Sequence, residues 1–189
     1  MKHSVKIASM ALGLMLTFSG DAFASDPYVG ASLGAFNVGT GVSKKAVAGG
    51  FVQLGDDFSG NIGGEVRFGM SGNAKQGGAT QARARIDYFA AAFVKPKIDI
   101  DDQWMGYALL GIATLKSSYT ETGLAMQSKA RTGYAYGLGV QYRIADHYAL
   151  GAEYMHMLSK PKTSATSIRA GFAGVESSVF TLGMKYYLY

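Results

Sequence analysis

From Ser25 onward, apolar and polar residues alternate along the chain with a period of two. The clearest case is Gly133 to Ile144, where Tyr134, Tyr136, Leu138, Val140, Tyr142 and Ile144 share one face. Gly133, Ala135, Gly137, Gly139, Gln141 and Arg143 share the other. A half-buried strand of a soluble protein also alternates. Here the bulky apolar face is paired with a small and polar one. That inversion suits a narrow barrel whose exterior meets lipid.

Seven further segments follow the same rule. Tyr28 to Phe36 sets Val29, Ala31, Leu33 and Ala35 against Gly30, Ser32 and Gly34, and Ala46 to Leu54 is a weaker case. Ile62 to Met70 sets Ile62, Val66, Phe68 and Met70 against Glu65 and Arg67. Ala82 to Val94 places Ala84, Ile86, Tyr88 and Val94 outward, with Arg83, Arg85 and Asp87 inward. Met105 to Leu115 is nearly all apolar, which leaves its facing open. Tyr148 to His156 turns Glu153 inward, and Val179 to Leu188 turns Thr181, Gly183 and Lys185 inward. Segments of roughly 9–11 residues are long enough for tilted transmembrane strands. An even number of them suits a single-chain barrel. The expected fold is therefore all-β: an eight-stranded antiparallel up-and-down transmembrane barrel.

The connections carry independent information. Long polar links (Asn37 to Lys45, Ser71 to Gln81, Lys116 to Thr132, Leu158 to Ser178) alternate with tighter ones. The tighter links are Gly55-Asp56-Asp57, Lys95 to Gln103 and Ala145-Asp146-His147. Such alternation is expected when both termini lie on the periplasmic side and long loops face outward. Pro27, Pro96 and Pro161 fall at a strand entry or in a connection, where no ladder donor is lost. Aromatics collect at strand ends as two expected interface belts. Tyr28, Phe58, Trp104, Tyr142, Tyr148 and Tyr186 form the periplasmic one; Phe36, Phe68, Tyr119, Tyr134, Tyr154 and Phe180 form the outer one.

The N-terminus adds a compartment. Lys2 and Lys6 precede an apolar stretch from Ile7 to Phe18, and Ala22-Phe23-Ala24 has the small-x-small form of a signal peptidase site. Residues 1–24 are thus expected to be a cleaved signal peptide and residues 25–189 the barrel domain. A count of 26 Gly with 12 Tyr and 10 Phe suits close-packed strands and interfacial rings, not a helical bundle. The formal net charge of +5 is spread along the chain, so nucleic-acid binding is not indicated. There is no cysteine, so disulfides play no part in stability.

Three stretches resemble the small outer-membrane β-barrel family of OmpX-type proteins and the transmembrane domain of OmpA-type proteins. They are Tyr28-Val-Gly-Ala-Ser-Leu-Gly, Tyr107-Ala-Leu-Leu-Gly-Ile-Ala and Gly133-Tyr-Ala-Tyr-Gly-Leu-Gly-Val-Gln-Tyr. The last strand resembles the family's C-terminal assembly signal, carried here by Gly183, Tyr186, Leu188 and Tyr189, and ends in Tyr where the family uses Phe. The resemblance implies partnership with the barrel assembly machinery, outer-membrane lipid and lipopolysaccharide. The resemblance covers the barrel alone, so the peptidoglycan-binding domain of the larger OmpA-type proteins is expected to be absent.

The inward set Glu65, Arg67, Arg83, Arg85, Asp87, Gln141, Arg143, Glu153 and Lys185 is the main candidate for chemistry. Charge rings confer selectivity in channels. The interior of an eight-stranded barrel, however, is only wide enough for side chains. Buried charges there must pair, and Arg with carboxylate does so through two bonds. A plug is therefore expected, with Glu65 in reach of Arg83 or Arg85. His147 falls in a turn, and His156 is opposite in strand parity to Glu153 although Ser159 is near in sequence. No catalytic set, cofactor-binding motif or metal-ligand cluster is indicated. The loops, with apolar residues such as Leu124, Met126, Ile168 and Phe172, offer a surface for a host or cell-surface ligand. The expected function is a non-enzymatic, monomeric envelope protein acting in envelope integrity or surface interaction. The alternatives are a small channel, a lipid-modifying enzyme and a soluble periplasmic ligand-binding barrel.

Overall fold

The computed structural model describes residues 26–39, 44–75, 83–120, 125–157 and 176–188. Residues 1–24, Tyr189, and the loop residues Leu124, Ser159, Pro161, Ile168 and Phe172 lie outside that set. The strands are β1 (Asp26–Gly39), β2 (Lys44–Asp57), β3 (Ile62–Ser71), β4 (Ala74–Lys75), β5 (Arg83–Asp99), β6 (Trp104–Thr120), β7 (Gln127–Ala145), β8 (Tyr148–Met157) and β9 (Glu176–Tyr187). Neighbours pair antiparallel, β4 being a two-residue extension that pairs only with β5. β1 pairs with β9 through Leu33 opposite Leu182, and β3 pairs with β5 through Phe68 opposite Ala90. The sheet thereby closes as an eight-strand antiparallel barrel. Closure matters because each backbone donor or acceptor left open in lipid costs several kcal/mol.

Alternation places the side chains as the chain pattern predicts over most of the wall. Leu33, Tyr134 and Leu138 point outward and are 75%, 81% and 69% exposed, while Phe36, Glu65 and Leu109 are fully buried inside. Trp104 meets Tyr142 with tilted ring centroids 4.9 Å apart, and Tyr148 meets Tyr186 likewise at 5.1 Å, giving an aromatic rim at the short-turn end. β6 resolves the open facing of its apolar run: Met105, Tyr107, Leu109, Ala113 and Leu115 all point inward.

Three expectations are corrected. Tyr28 and Phe36 are not belt residues; both are buried in the interior, on the same strand face as Gly30, Ser32 and Gly34. The strands run further than the apolar pattern. Lys95 to Asp99 continue β5, Lys116 to Thr120 continue β6, and Gln127 to Thr132 begin β7. Pro96 accordingly sits within β5, opposite Ile62, instead of in a turn. The β5–β6 ladder has a gap between Val94 and Lys97 that spans Pro96, while on the β3 side Lys97 N donates to Asn61 O at 2.9 Å.

The third correction is β5 itself. The register with β6 shifts between Ile86 and Tyr88, a β-bulge that adds one residue. Below it Tyr88 and Val94 face out as expected. Above it the parity inverts: Ala84 and Ile86 are buried inside, and Arg83 and Arg85 are exposed on the outside.

One glycine shows how the interior packs. A Cβ added at Gly139 on β7 would meet the ring of Tyr107 on β6, with Cε2 at 2.7 Å. The ring occupies the space that a side chain at position 139 would need. Gly139→Val is therefore expected to cost about 1–3 kcal/mol, the usual price of overpacking, read as a lower urea midpoint for unfolding from lipid vesicles.

Candidate functional site

The interior is built in two halves. The half toward the short turns holds a polar cluster contributed by most of the strands. Asp57 on β2 pairs with Lys95 Nζ at 2.7 Å and Lys97 Nζ at 3.3 Å, both on β5. Lys95 Nζ donates to Tyr28 Oη at 2.9 Å, and Tyr28 Oη donates to Glu65 Oε2 at 2.6 Å. Arg67 joins the two carboxylates: its Nε donates to Glu65, its Nη1 to Glu153 Oε1, and its Nη2 to Glu153 Oε2 at 2.6 Å. Tyr107 Oη adds a 3.1 Å bond to Glu153. Lys185 Nζ lies 3.7 Å from Glu65 Oε2, between the rings of Tyr28 and Tyr107 at 4.7 and 4.9 Å. Gln141 Nε2 donates to Tyr187 Oη at 2.9 Å, which in turn donates to Asp57 at 3.2 Å.

The half toward the long loops is apolar. Phe36, Val38, Phe51, Ile86, Phe89 and Phe93 pack with Leu109, Leu115, Met155, Met157 and Val179 in one buried cluster. Phe89 meets Phe36 and Phe51 with ring centroids 6.0 Å apart in each case, spacings favourable for aromatic pairs. Arg67 marks the boundary. Its guanidinium lies 4.7 Å from the Phe51 centroid and 5.1 Å from that of Phe93. One side chain thus closes the ion-pair cluster and begins the apolar plug.

Of the residues singled out in the sequence, Glu65, Arg67, Gln141, Glu153 and Lys185 lie buried in this interior. Arg143 is exposed at the short-turn mouth, with its guanidinium 5.6 Å from the Tyr187 ring. Arg83, Arg85 and Asp87 are not part of the cluster, so the expected Glu65 pairing with Arg83 or Arg85 is replaced by Arg67. The bulge is the reason. Asp87, at the extra residue, instead accepts from Arg85 Nε at 2.6 Å and from Ser118 Oγ. Sequence reasoning missed Tyr28, Asp57, Lys95, Tyr107 and Tyr187. Asp57 and Lys95 fell in expected turns and Tyr28 in an expected belt. Their inward parity with Gly55, Phe93 and Gly30 was the available signal.

A model of the outer membrane protein β-barrel domain matches residues 8–187. The chain belongs to that family. Its place is the outer membrane, and the soluble periplasmic alternative falls with that assignment. Among solved structures, the barrel is similar to Neisserial surface protein A, with a TM-score of 0.67 and 14% identity over 87% of this chain and 99% of that one. It is also similar to Ail, the attachment invasion locus protein of Yersinia pestis, in complex with the heparin analogue sucrose octasulfate. There the TM-score is 0.58 and the identity 18%, over 87% of this chain and 97% of that one. The N-terminal β-barrel domain of Pseudomonas aeruginosa OprF gives 0.60 and 8%, over 87% and 100%. At such identities the likeness is one of fold. No curated protein sequence matches.

Proposed function

We propose that this is a non-enzymatic outer-membrane barrel with a closed interior, acting in envelope integrity or surface interaction through its long-loop end. The observation that carries this reading is the stacking of two unlike seals in one lumen. An ion needs a hydrated or polar path, and the buried Phe36–Phe51–Phe89 cluster supplies no polar ligands. Below it the charged groups bond one another and are held between strands, so they serve as cross-braces. A cavity of about 10 Å³ beside Lys185, lined by Ser32, Gln53, Thr181 and Glu153 among others, is at the lower bound for a single water.

The long-loop end is where exposed side chains vary in chemistry. Met126 is exposed near the tip of the β6–β7 hairpin, with Lys129 close by. Ail, of the same fold, is known with a bound heparin analogue, which supports a surface-ligand role without identifying this chain's ligand. Folded protein in a planar bilayer is expected to give no stepwise conductance, and a deletion strain to be more sensitive to detergent. Reproducible conductance steps that change with Glu65→Gln would favour the small-channel reading instead. A change in lipid A acylation that depends on His156 would favour an enzyme.

A further inference from the structure

The ion pairs in the half of the lumen toward the short turns do not balance. Three carboxylates, Asp57, Glu65 and Glu153, are paired with four cations, Arg67, Lys95, Lys97 and Lys185. Asp26, opposite Asp57 in register, and Arg143 add one charge of each sign nearer the mouth. The surplus cation is Lys185. It is 3% exposed, and its Nζ has no hydrogen-bond partner among the described residues. Its ion-pair contact there is the 3.7 Å approach to Glu65, a carboxylate already bonded by Arg67 and Tyr28. An ammonium carries three donors, and burying it is strongly unfavourable unless both its charge and its donors are answered.

Lys185 lines a cavity of about 10 Å³, made at one place in the wall. Ser32 on β1 lies opposite Gly183 on β9, and Gly183 lies opposite Gly151 on β8. Two inward glycines side by side leave the space, which is bounded by Ser32, Gln53, Thr181 and Lys185 together with Tyr107 and Glu153. The first four all carry N–H or O–H donors: two hydroxyls that turn about one bond, a primary amide and the ammonium. Glu153 is the one carboxylate in the lining. Arg67 bonds both of its oxygens and Tyr107 Oη one of them, so its charge is answered within the cluster.

Charge separates the occupants that a cavity of this size can take. A metal cation is repelled by Lys185. A water satisfies the donors and leaves the surplus charge uncompensated. A small anion does both.

We propose that the cavity beside Lys185 binds one monovalent anion of chloride size, as the counter-ion of the buried ion-pair cluster. Chloride is slightly wider than water, and the Ser32 and Thr181 hydroxyls are the adjustable part of the lining. Sulfate and gluconate are too large. The site rests on the ion-pair cluster. It does not depend on the apolar seal or on a ligand at the long-loop end, so either proposal stands or fails alone.

The test uses the full-length protein folded in lipid vesicles and unfolded with urea in matched sodium chloride or sodium gluconate. In about 0.3 M chloride the unfolding equilibrium constant is expected to be about tenfold lower than in gluconate, as for a ligand at roughly ten times its dissociation constant. Two variants remove the site in different ways. Lys185→Met deletes the charge that the anion balances. Gly151→Ala keeps every charge and puts a methyl group into the cavity, in ordinary contact at 3.7 Å with Tyr107 Oη. Both variants are expected to unfold alike in the two salts, and Gly151→Ala decides the matter if Lys185→Met fails to fold. Lys129→Gln, at the long-loop end, is expected to keep the tenfold difference. Crystals grown in bromide are expected to show an anomalous-scattering peak in the cavity, within hydrogen-bond reach of Lys185 Nζ. The proposal is overturned if the unaltered protein unfolds alike in the two salts, or if the difference survives in either cavity variant. Water density in the cavity with no bromide peak overturns it too, since the site would then be one of hydration only.

Discussion

Arg67→Leu is expected to be the most damaging single substitution in the barrel, lowering folding stability by about 3–5 kcal/mol. Its guanidinium is fully buried and bonded to both Glu65 and Glu153. Removing it leaves those two carboxylates facing one another's neighbourhood with Tyr28, Tyr107 and Lys185 as the remaining partners. Deleting one member of a buried ion pair costs that much because the other charge stays desolvated and uncompensated. The measurement is urea-induced unfolding from lipid vesicles, followed by tryptophan emission from Trp104 and by gel mobility. Combining the change with Glu153→Gln should recover much of the loss, since Glu65 keeps Lys185 as its counter-charge at 3.7 Å and the neutral partner needs none. A double variant as unstable as the single one would show that the packing of Arg67 against Phe51 and Phe93 matters more than its charge.

Phe89→Ala is expected to cost a similar 3–5 kcal/mol, for a different reason. Phe89 is fully buried between Phe36 and Phe51, and its loss leaves a cavity that a hydrogen-bonded barrel wall is ill able to collapse. The conductance is expected to stay at zero in this variant. Phe36, Ile86 and Leu115 still occupy the upper lumen, and the Asp57-to-Glu153 cluster still spans the lower one. The two substitutions thus separate two roles. If Phe89→Ala both unfolds the protein more easily and opens conductance steps, the apolar half alone is the seal and the ion-pair cluster is merely structural.

The strands, their antiparallel closure and the outer-membrane family follow from features local to the sequence. A period of two is visible wherever one face must meet lipid, because each exposed position on that face penalises a polar side chain independently of its neighbours. Tyr134, Leu138, Leu150 and Phe180 are such positions, and the structure exposes each. Glu65, Arg67, Glu153 and Lys185 were likewise placed inward by parity alone. The strand ends were less legible. Once strands rise out of the lipid, both faces are free to be polar, so Lys116 to Thr120 and Gln127 to Thr132 carried no alternation to read.

Which inward residues meet was decided only in three dimensions. Arg67 reaches Glu153, 86 positions away in the chain, through the register of strands that are not neighbours in the wall. No period records that distance. The facing of Arg83 and Arg85 was decided by one extra residue between Ile86 and Tyr88, since a single bulge inverts the parity of everything beyond it. The sequence by itself determined a closed, lipid-facing barrel with charges inside. Only the tertiary structure decided that those charges brace the lower half, that the upper half is apolar, and that two of the expected interior arginines stand on the outer wall.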